Sequence, residues 1–422
     1  MPLLESPAAQ ALLNEAVVNA ESVCSCRRQL LSFLRRYLPL FYRKEQADNA
    51  VIVMEGLLSD LDRKTCEPIA RRIDTHRKPI QVFVGSGKWD DEAVMSELRS
   101  HVKQEFADPN GVLIFDGSGF AKKGSHSCGV KRQWCGRLGK VENCQVGVFM
   151  SYATARGYAP LDRRLYLPED WANDALRRKA AHVPSAIIFR NKWQIAADLL
   201  AAHGKEMPHG WVAADDEFGR AAEFRAQLRE QGERYVLDVP CDTLIRDVEM
   251  RRPPRRQRNG GRLRERAFCR VDAWARRQPA KRWQRLHVAD GEKGPLEVMA
   301  LCVRVRAKHH QRVGAEERLL VIRTIEANPR TSYMLCSAGS EPITELLRVK
   351  RQRHRIEELF EAAKGEAGLA HYEVRSYVGW HHHITLSLLA LWFLILERQR
   401  LGEKNPSPDR AADPLPVLAI AS

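Results

Sequence analysis

Three acids and two bases carry the chemical content of this chain. Asp116 closes the apolar run Val112-Leu113-Ile114-Phe115 and is followed at once by glycines. Asp215 closes a second run, Trp211-Val212-Ala213-Ala214, with Asp216 and Glu217 behind it. An apolar, strand-forming run that stops at a carboxylate delivers it to a sheet edge where a ligand can reach. A strand whose Asp merely starts a turn reads the same way. Glu357 lies in a helical segment. At about 100° per residue it falls about 40° around from Arg353, and Lys364 falls about 20° around, so the three share one stripe. Ile356, Leu359 and Ala363 form the adjacent apolar stripe; ordinary pairing on a solvated face is the alternative. The acids are 99 and 142 residues apart, so they would have to converge from separate elements. Phosphodiester chemistry with two divalent cations requires such convergence: one cation activates water or a 3′-hydroxyl, the other stabilises the leaving oxygen. Hard Mg²⁺ prefers these oxygen ligands, and the ten cysteines offer no Cys-x-x-Cys pair that would favour a softer metal.

The elements that must position these groups sit in a 422-residue chain, 44% apolar and 29% charged, long enough for two to four domains. Its formal net charge is +15, and residues 251–286 alone carry +12. A local cationic block of this kind points to a polyanion, nucleic acid first and a membrane surface second. No basic-then-apolar leader opens the chain. The apolar run from Ile384 to Leu396 is too short to span a bilayer and reads as a buried helix. The expectation is a soluble protein of the cytoplasm, associated with the nucleoid, with reduced cysteines and no membrane partner.

Residues 1–105 read as a helical domain, with apolar residues at three-to-four spacing (Leu30, Phe33, Leu34, Tyr37; Ile52, Leu57, Leu58, Leu61) and basic residues between. Those basic faces are either solvated or DNA-binding. Gly85-Ser86-Gly87-Lys88 fails as a phosphate loop, since Val82 stands where the motif needs Gly and Trp89 follows the Lys. Residues 106–240 predict strands at 112–115, 144–153 and 163–167, a helix bearing Trp193 and Leu199, the Asp215 strand, a helix at 220–230 and a strand at 235–239: a mixed α/β order. Residues 241–340 read as a β-rich basic insertion, with strands at 296–305, 319–325 and 332–337. Helical periodicity returns at 341–364 and 377–398, within a second helical part of the core at 341–400. The proline-bearing tail 401–422 reads as disordered.

With these residues in view, the sequence resembles the DDE transposases of bacterial insertion sequences, an RNase H-like class. It is most similar to insertion-sequence family seven-oh-one within the group bearing the Tyr/Arg/Glu/Lys signature. The resemblance runs from about Leu57 to Leu396. It rests on Phe115-Asp116-Gly117-Ser118-Gly119-Phe120-Ala121-Lys122-Lys123-Gly124, Gly139-Lys140-Val141-Glu142-Asn143-Cys144-Gln145-Val146, Pro160-Leu161-Asp162-Arg163-Arg164-Leu165-Tyr166-Leu167-Pro168, Arg355-Ile356-Glu357-Glu358 with Lys364, and His371-Tyr372-Glu373-Val374-Arg375-Ser376. It implies an RNase H-like mixed sheet with flanking helices, interrupted by the insertion and preceded by the helical domain. It makes Asp116, Asp215 and Glu357 the catalytic acids and ligands of two Mg²⁺ ions per site, with Mn²⁺ able to substitute. Arg353 and Lys364 take the signature's Arg and Lys; its Tyr falls on Lys350, and a Thr common after the first acid is Ser118. Asp216, Glu217, Glu358 and Glu361 are rival acids that spacing alone does not exclude.

The same resemblance implies binding of terminal inverted repeats, metal-dependent cleavage at the ends and strand transfer into target DNA, with two ends held by a homodimer. Arg255, Arg256, Arg258, Arg262 and Arg264 would grip phosphates of double-stranded DNA. Lys122 and Lys123 are either phosphate contacts or a solvated turn. Trp274 and Trp283 either stack on an unpaired base or anchor a core. His381-His382-His383 is DNA-facing or structural. A domesticated, non-cleaving DNA-binding protein and an RNase H-like nuclease without strand transfer are the competing readings.

Overall fold

A computed structural model of the chain describes residues 20–249, 267–291 and 294–404. The chain divides into two compact units, one of residues 99–360 and one that joins the residues up to 98 with those from 361 onward.

The unit of residues 99–360 is built on a single twelve-stranded sheet. β1 (Val112–Ala121) buries Val112, Leu113, Ile114 and Phe115 completely, as a continuous apolar run does in a strand covered on both faces. It pairs antiparallel with β3 (Lys140–Thr154) and parallel with β5 (Trp211–Ala214), which is parallel in turn to β6 (Tyr235–Val239). β2 (Lys131–Cys135) and β4 (Gly157–Leu165) divide the outer edge of β3 between them. β3 begins earlier than the apolar pattern predicts because its first residues pair with β2, and β4 begins earlier because it forms a hairpin with β3 that closes at Thr154 and Gly157. β2 has no alternating pattern to announce it.

The strands after residue 240 extend this same sheet. β12 (Thr331–Cys336) lies antiparallel to β6, then come β11 (Arg312–Thr324) and β10 (Gly294–His309). β10 carries both β7 (Leu244–Asp247) and β9 (Gln284–Gly291), and β8 (Cys269–Arg270) pairs with β7. A buried carboxylate ties this extension to the strands before it. Glu317 of β11 accepts from Arg225 Nε at 2.9 Å and from the Tyr235 hydroxyl at 2.7 Å. The helical stretch predicted across 341–364 is two helices, Ile343–Arg353 and Arg355–Gly365, with a break at His354. Residue periodicity cannot register a break of one residue.

In the other unit the 28-residue helix Tyr377–Lys404 packs with Lys44–Leu57 and Arg77–Ser86. It is the one helix among the described residues long and apolar enough to cross a membrane, and 94% of its apolar stretch is buried inside the protein. Its three histidines are buried: His382 bonds the carbonyls of Val84 and Trp89, and His383 that of Gly368. That is the structural alternative for the His run. Arg255, Arg256, Arg258, Arg262 and Arg264, and the tail beyond 404, lie outside the described residues.

Candidate active site

The register of three parallel strands sets the site. Phe115 stands opposite Ala214, and Ala214 opposite Leu237. One residue further along each strand are Asp116, Asp215 and Asp238, so three carboxylates form a row across the middle of the sheet. Asp116 is 9% exposed, and its Oδ1 accepts from Gly117 N at 2.6 Å. Asp215 follows the last residue of β5 and starts the turn as well: its Oδ1 accepts from the amides of Glu217 (3.0 Å) and Phe218 (3.4 Å). The turn-starting and site-forming readings of this residue are thus both realised.

Arg353, at the end of the helix Ile343–Arg353, stands among the acids. Its guanidinium lies 3.6 Å from Asp116, 3.7 Å from Asp238 and 2.9 Å from Glu357. Glu357 also meets His354 at 3.0 Å and is otherwise exposed. The break at His354 leaves the Arg353–Glu357 contact in place at i,i+4 across the two helices. Lys350, one turn before Arg353, holds Asp238 through both oxygens at 2.6 and 2.7 Å. The position where the signature carries Tyr thus neutralises a fourth carboxylate that sequence reasoning missed. The signal for Asp238 was present in Tyr235-Val-Leu-Asp238-Val239, an apolar strand interrupted by one acid.

Four carboxylates around two cationic side chains leave a deficit of positive charge. Burial pushes the Asp116 carboxyl up to about 8, Asp215 beside it adds to the shift, and Arg353 offsets part of it. Asp215 is raised to about 6, again by burial first, with Arg353 opposing and Glu217 and Asp216 reinforcing. The donor set of Asp116, Asp215 and Glu357 is all carboxylate oxygen, which suits a hard divalent cation, and such a cation would let the crowded acids ionise. Three of the four rival acids are committed to ion pairs: Asp216 with Arg220 (3.0 Å), Glu217 with Lys192 (2.6 Å) and Glu358 with Arg355 (2.8 Å); Glu361 lies exposed on the helix Arg355–Gly365. A mixed group of metal-ligand type lies elsewhere in the unit, where Glu223 of the helix Ala222–Glu230 meets His309 and His310 at the end of β10.

The remaining predicted residues are spread more widely. Lys364 lies in the last turn of the helix Arg355–Gly365. Lys122 and Lys123 follow the end of β1 in a turn held by Asn143, whose side chain donates to the carbonyls of Lys122 and Gly124. Trp274 is buried with its Nε1 on Asp247 at 3.1 Å. Trp283 is half-buried against the apolar cluster that includes Trp274, Ile245, Val271 and Leu319, with the Arg323 guanidinium 4.4 Å over its ring. Both Trp positions fit the anchoring alternative.

Comparison with known proteins decides the family. The model of the DDE superfamily endonucleases matches residues 36–295, more than half of the chain. The chain belongs to the DDE superfamily of endonucleases. That family carries an RNase H-like fold, and the mixed sheet with its parallel β1, β5 and β6 accords with it. The matched residues include Asp116, Asp215 and Asp238; Arg353 and Glu357 lie beyond them. The chain is also similar to a protein of Microchaete diplosiphon named as a probable transposase for insertion sequence element IS701. The two are 27% identical over 187 residues, 44% of this chain and 46% of that relative, so the match spans about half of the relative's length. This endonuclease therefore brings all three acids of its row together within the stretch that defines the family.

Proposed function

We propose that this DDE endonuclease is a DNA transposase. It binds the terminal inverted repeats of its own insertion sequence, cleaves at the ends in a metal-dependent reaction and transfers the strands to target DNA. The observation that carries the reading is the row of Asp116 and Asp215, linked through Arg353 to Glu357. Asp116, Asp215 and Glu357 would hold two Mg²⁺ ions, or Mn²⁺ in their place, and the bound ions would supply Lewis acidity for phosphodiester cleavage. Arg353 keeps the acids apart and oriented until then, and Asp238 with Lys350 keeps Arg353 in position. Lys364, Lys122, Lys123 and the arginines at 255, 256, 258, 262 and 264 hold phosphates of double-stranded DNA. Two copies pair the two ends. The similarity to the IS701 relative supports transposition over other endonuclease activities.

The test is incubation of purified protein with DNA carrying the element's ends and Mg²⁺. Expected products are nicks at the ends and joined target molecules, both lost in Asp116→Ala, with the two-end complex sedimenting as a protein dimer. Cleavage without joined products would leave a nuclease lacking strand transfer. Binding without cleavage would identify a domesticated DNA-binding protein.

A further inference from the structure

Away from the row of acids, two imidazoles meet a carboxylate. β10 ends at His309, and His310 begins the short turn that leads into β11 at Arg312. Glu223 faces them from the first turn of the helix Ala222–Glu230. His310 Nε2 lies 2.6 Å and His309 Nε2 3.8 Å from the same oxygen, Glu223 Oε1. One donor atom from each residue falls within 4.8 Å of the other two. Four-coordinate Zn²⁺, with ligands at about 2.0–2.1 Å, spaces its donors roughly 3.3 Å apart. The two measured separations straddle the spacing that such an ion would impose.

The turn itself favours the same reading. His310 has φ +51°, in the left-handed region that few residues other than Gly, Asn, Asp and His enter. Glycine would serve the backbone there at lower cost. A histidine instead sets a second imidazole beside the first, with ring centroids 4.9 Å apart. The His310 side chain is 75% exposed, so an ion can enter from solvent and keep water as its fourth ligand. Two imidazole nitrogens and one carboxylate suit Zn²⁺ and its borderline neighbours, whereas the all-carboxylate row suits hard Mg²⁺. The helix that carries Glu223 is already fastened to β11 from within, by Arg225 on Glu317. Phe224 of the same helix packs its ring on Phe115, the residue before Asp116.

We propose that Glu223, His309 and His310 form a zinc site, completed by water, that clamps the β10–β11 turn to the helix Ala222–Glu230. The ion adds a surface fastening to the buried one at Glu317. The clamp is independent of the row: its ligands and its preference for a borderline ion owe nothing to Asp116, Asp215 or Glu357.

The probe is Zn²⁺ alone, titrated calorimetrically into full-length protein that has been stripped with EDTA, dialysed and supplied with excess Mg²⁺ to occupy the row. Asp116→Ala is carried in parallel, since it disables the row and leaves the clamp intact. Both proteins are expected to bind one equivalent of Zn²⁺ that Mg²⁺ does not displace. His309→Ala and Glu223→Gln should each weaken that binding at least about tenfold, the loss that even an outer-sphere partner of a metal causes. Zn²⁺ should also raise the melting temperature of wild type and slow amide exchange across residues 307–313, and do neither in the His309→Ala, His310→Ala double variant. The side chains lie at the surface, so melting near that of wild type in EDTA is the fold control. If the double variant fails it, Glu223→Gln alone carries the comparison. Zn²⁺ affinity equal to wild type in the variants, or no binding by wild type, would leave an ordinary ion pair between His310 and Glu223 and overturn the clamp. Loss of the Zn²⁺ site in Asp116→Ala would place the ion at the row and overturn it as well.

Discussion

At Asp116 the structure opposes ionisation, and this has a sign that can be measured. The carboxyl is raised to about 8, by burial first and then by Asp215, against an unfolded value of about 3.9. Between those values the folded chain holds a proton that the unfolded chain has lost. The contribution to stability is therefore complete below the unfolded pKa and declines as pH rises toward 8. In EDTA, wild type should melt lower at pH 8 than at pH 5, whereas Asp116→Asn should flatten that slope to the share left by Asp215 and be the more stable of the two at pH 8, by on the order of 2 kcal/mol. Because a bound cation must displace the proton, Mg²⁺ should raise the melting temperature of wild type more at pH 8 than at pH 6. A wild-type melting temperature that does not fall between pH 5 and 8 in EDTA would contradict this picture of the row. Asp238 makes a different demand. It and Lys350 are a half-buried pair, so Asp238→Asn or Lys350→Met alone should cost about 2 kcal/mol, and the two together clearly less than the sum. Additive losses in urea melts would mean the pair does not act as a unit.

Among the elements, the β3–β4 hairpin carries a second buried charge cluster with no part in the site. Asp162 of β4 is 2% exposed and accepts from Arg163 N at 2.6 Å; Arg99 lies 3.2 Å and His203 3.1 Å away. Burial alone would raise this carboxyl, but the bond from His203 and the charges of Arg163 and Arg99 outweigh it and hold it well below the ordinary carboxylate range. Its stabilisation is thus present above the unfolded pKa and is lost as pH falls. His203 is raised, first by its bond to Asp162, so its share is complete below the unfolded imidazole value and fades as pH climbs through the folded one. Asp162→Asn should cost about 3 kcal/mol at neutral pH and flatten the acid limb of a stability–pH curve; an unchanged acid limb would refute the assignment. The motif around Asp162 was readable only through family likeness, because a buried Asp beside two arginines looks like a polar loop until its partners are known. The strands bearing Asp116 and Asp215 were legible because four apolar residues covered on both faces leave little else to be. β2, β7, β8 and β9 were not, being short or edge strands whose residues need no alternating pattern. The break at His354 escaped because Arg353 and Glu357 keep helical spacing across it. Asp238 escaped because one acid inside an apolar strand, taken alone, has no partner in the sequence; parallel register supplies two.

For the whole molecule the governing quantity is the distribution of charge. Of the net +15, residues 251–286 carry +12, and five of their arginines (Arg255, Arg256, Arg258, Arg262 and Arg264) fall within ten residues. Each phosphate neutralised releases counterion and contributes about 0.9 to the slope of log K against log salt on duplex DNA. If all five hold phosphates, replacing them with Ala should reduce that slope by up to about 4.5 and weaken binding most at low salt, for every sequence alike. Fluorescence anisotropy on a labelled duplex from 50 to 300 mM salt measures the slope. A slope equal to wild type in the five-arginine variant would move the phosphate grip to other basic positions, with Lys122 and Lys123 next to the Asp116 strand the first to replace. A slope that falls by the full amount would assign most of the duplex affinity to a stretch that carries none of the acids of the row. Recognition of the phosphate backbone and cutting of the strand would then be separable in this endonuclease.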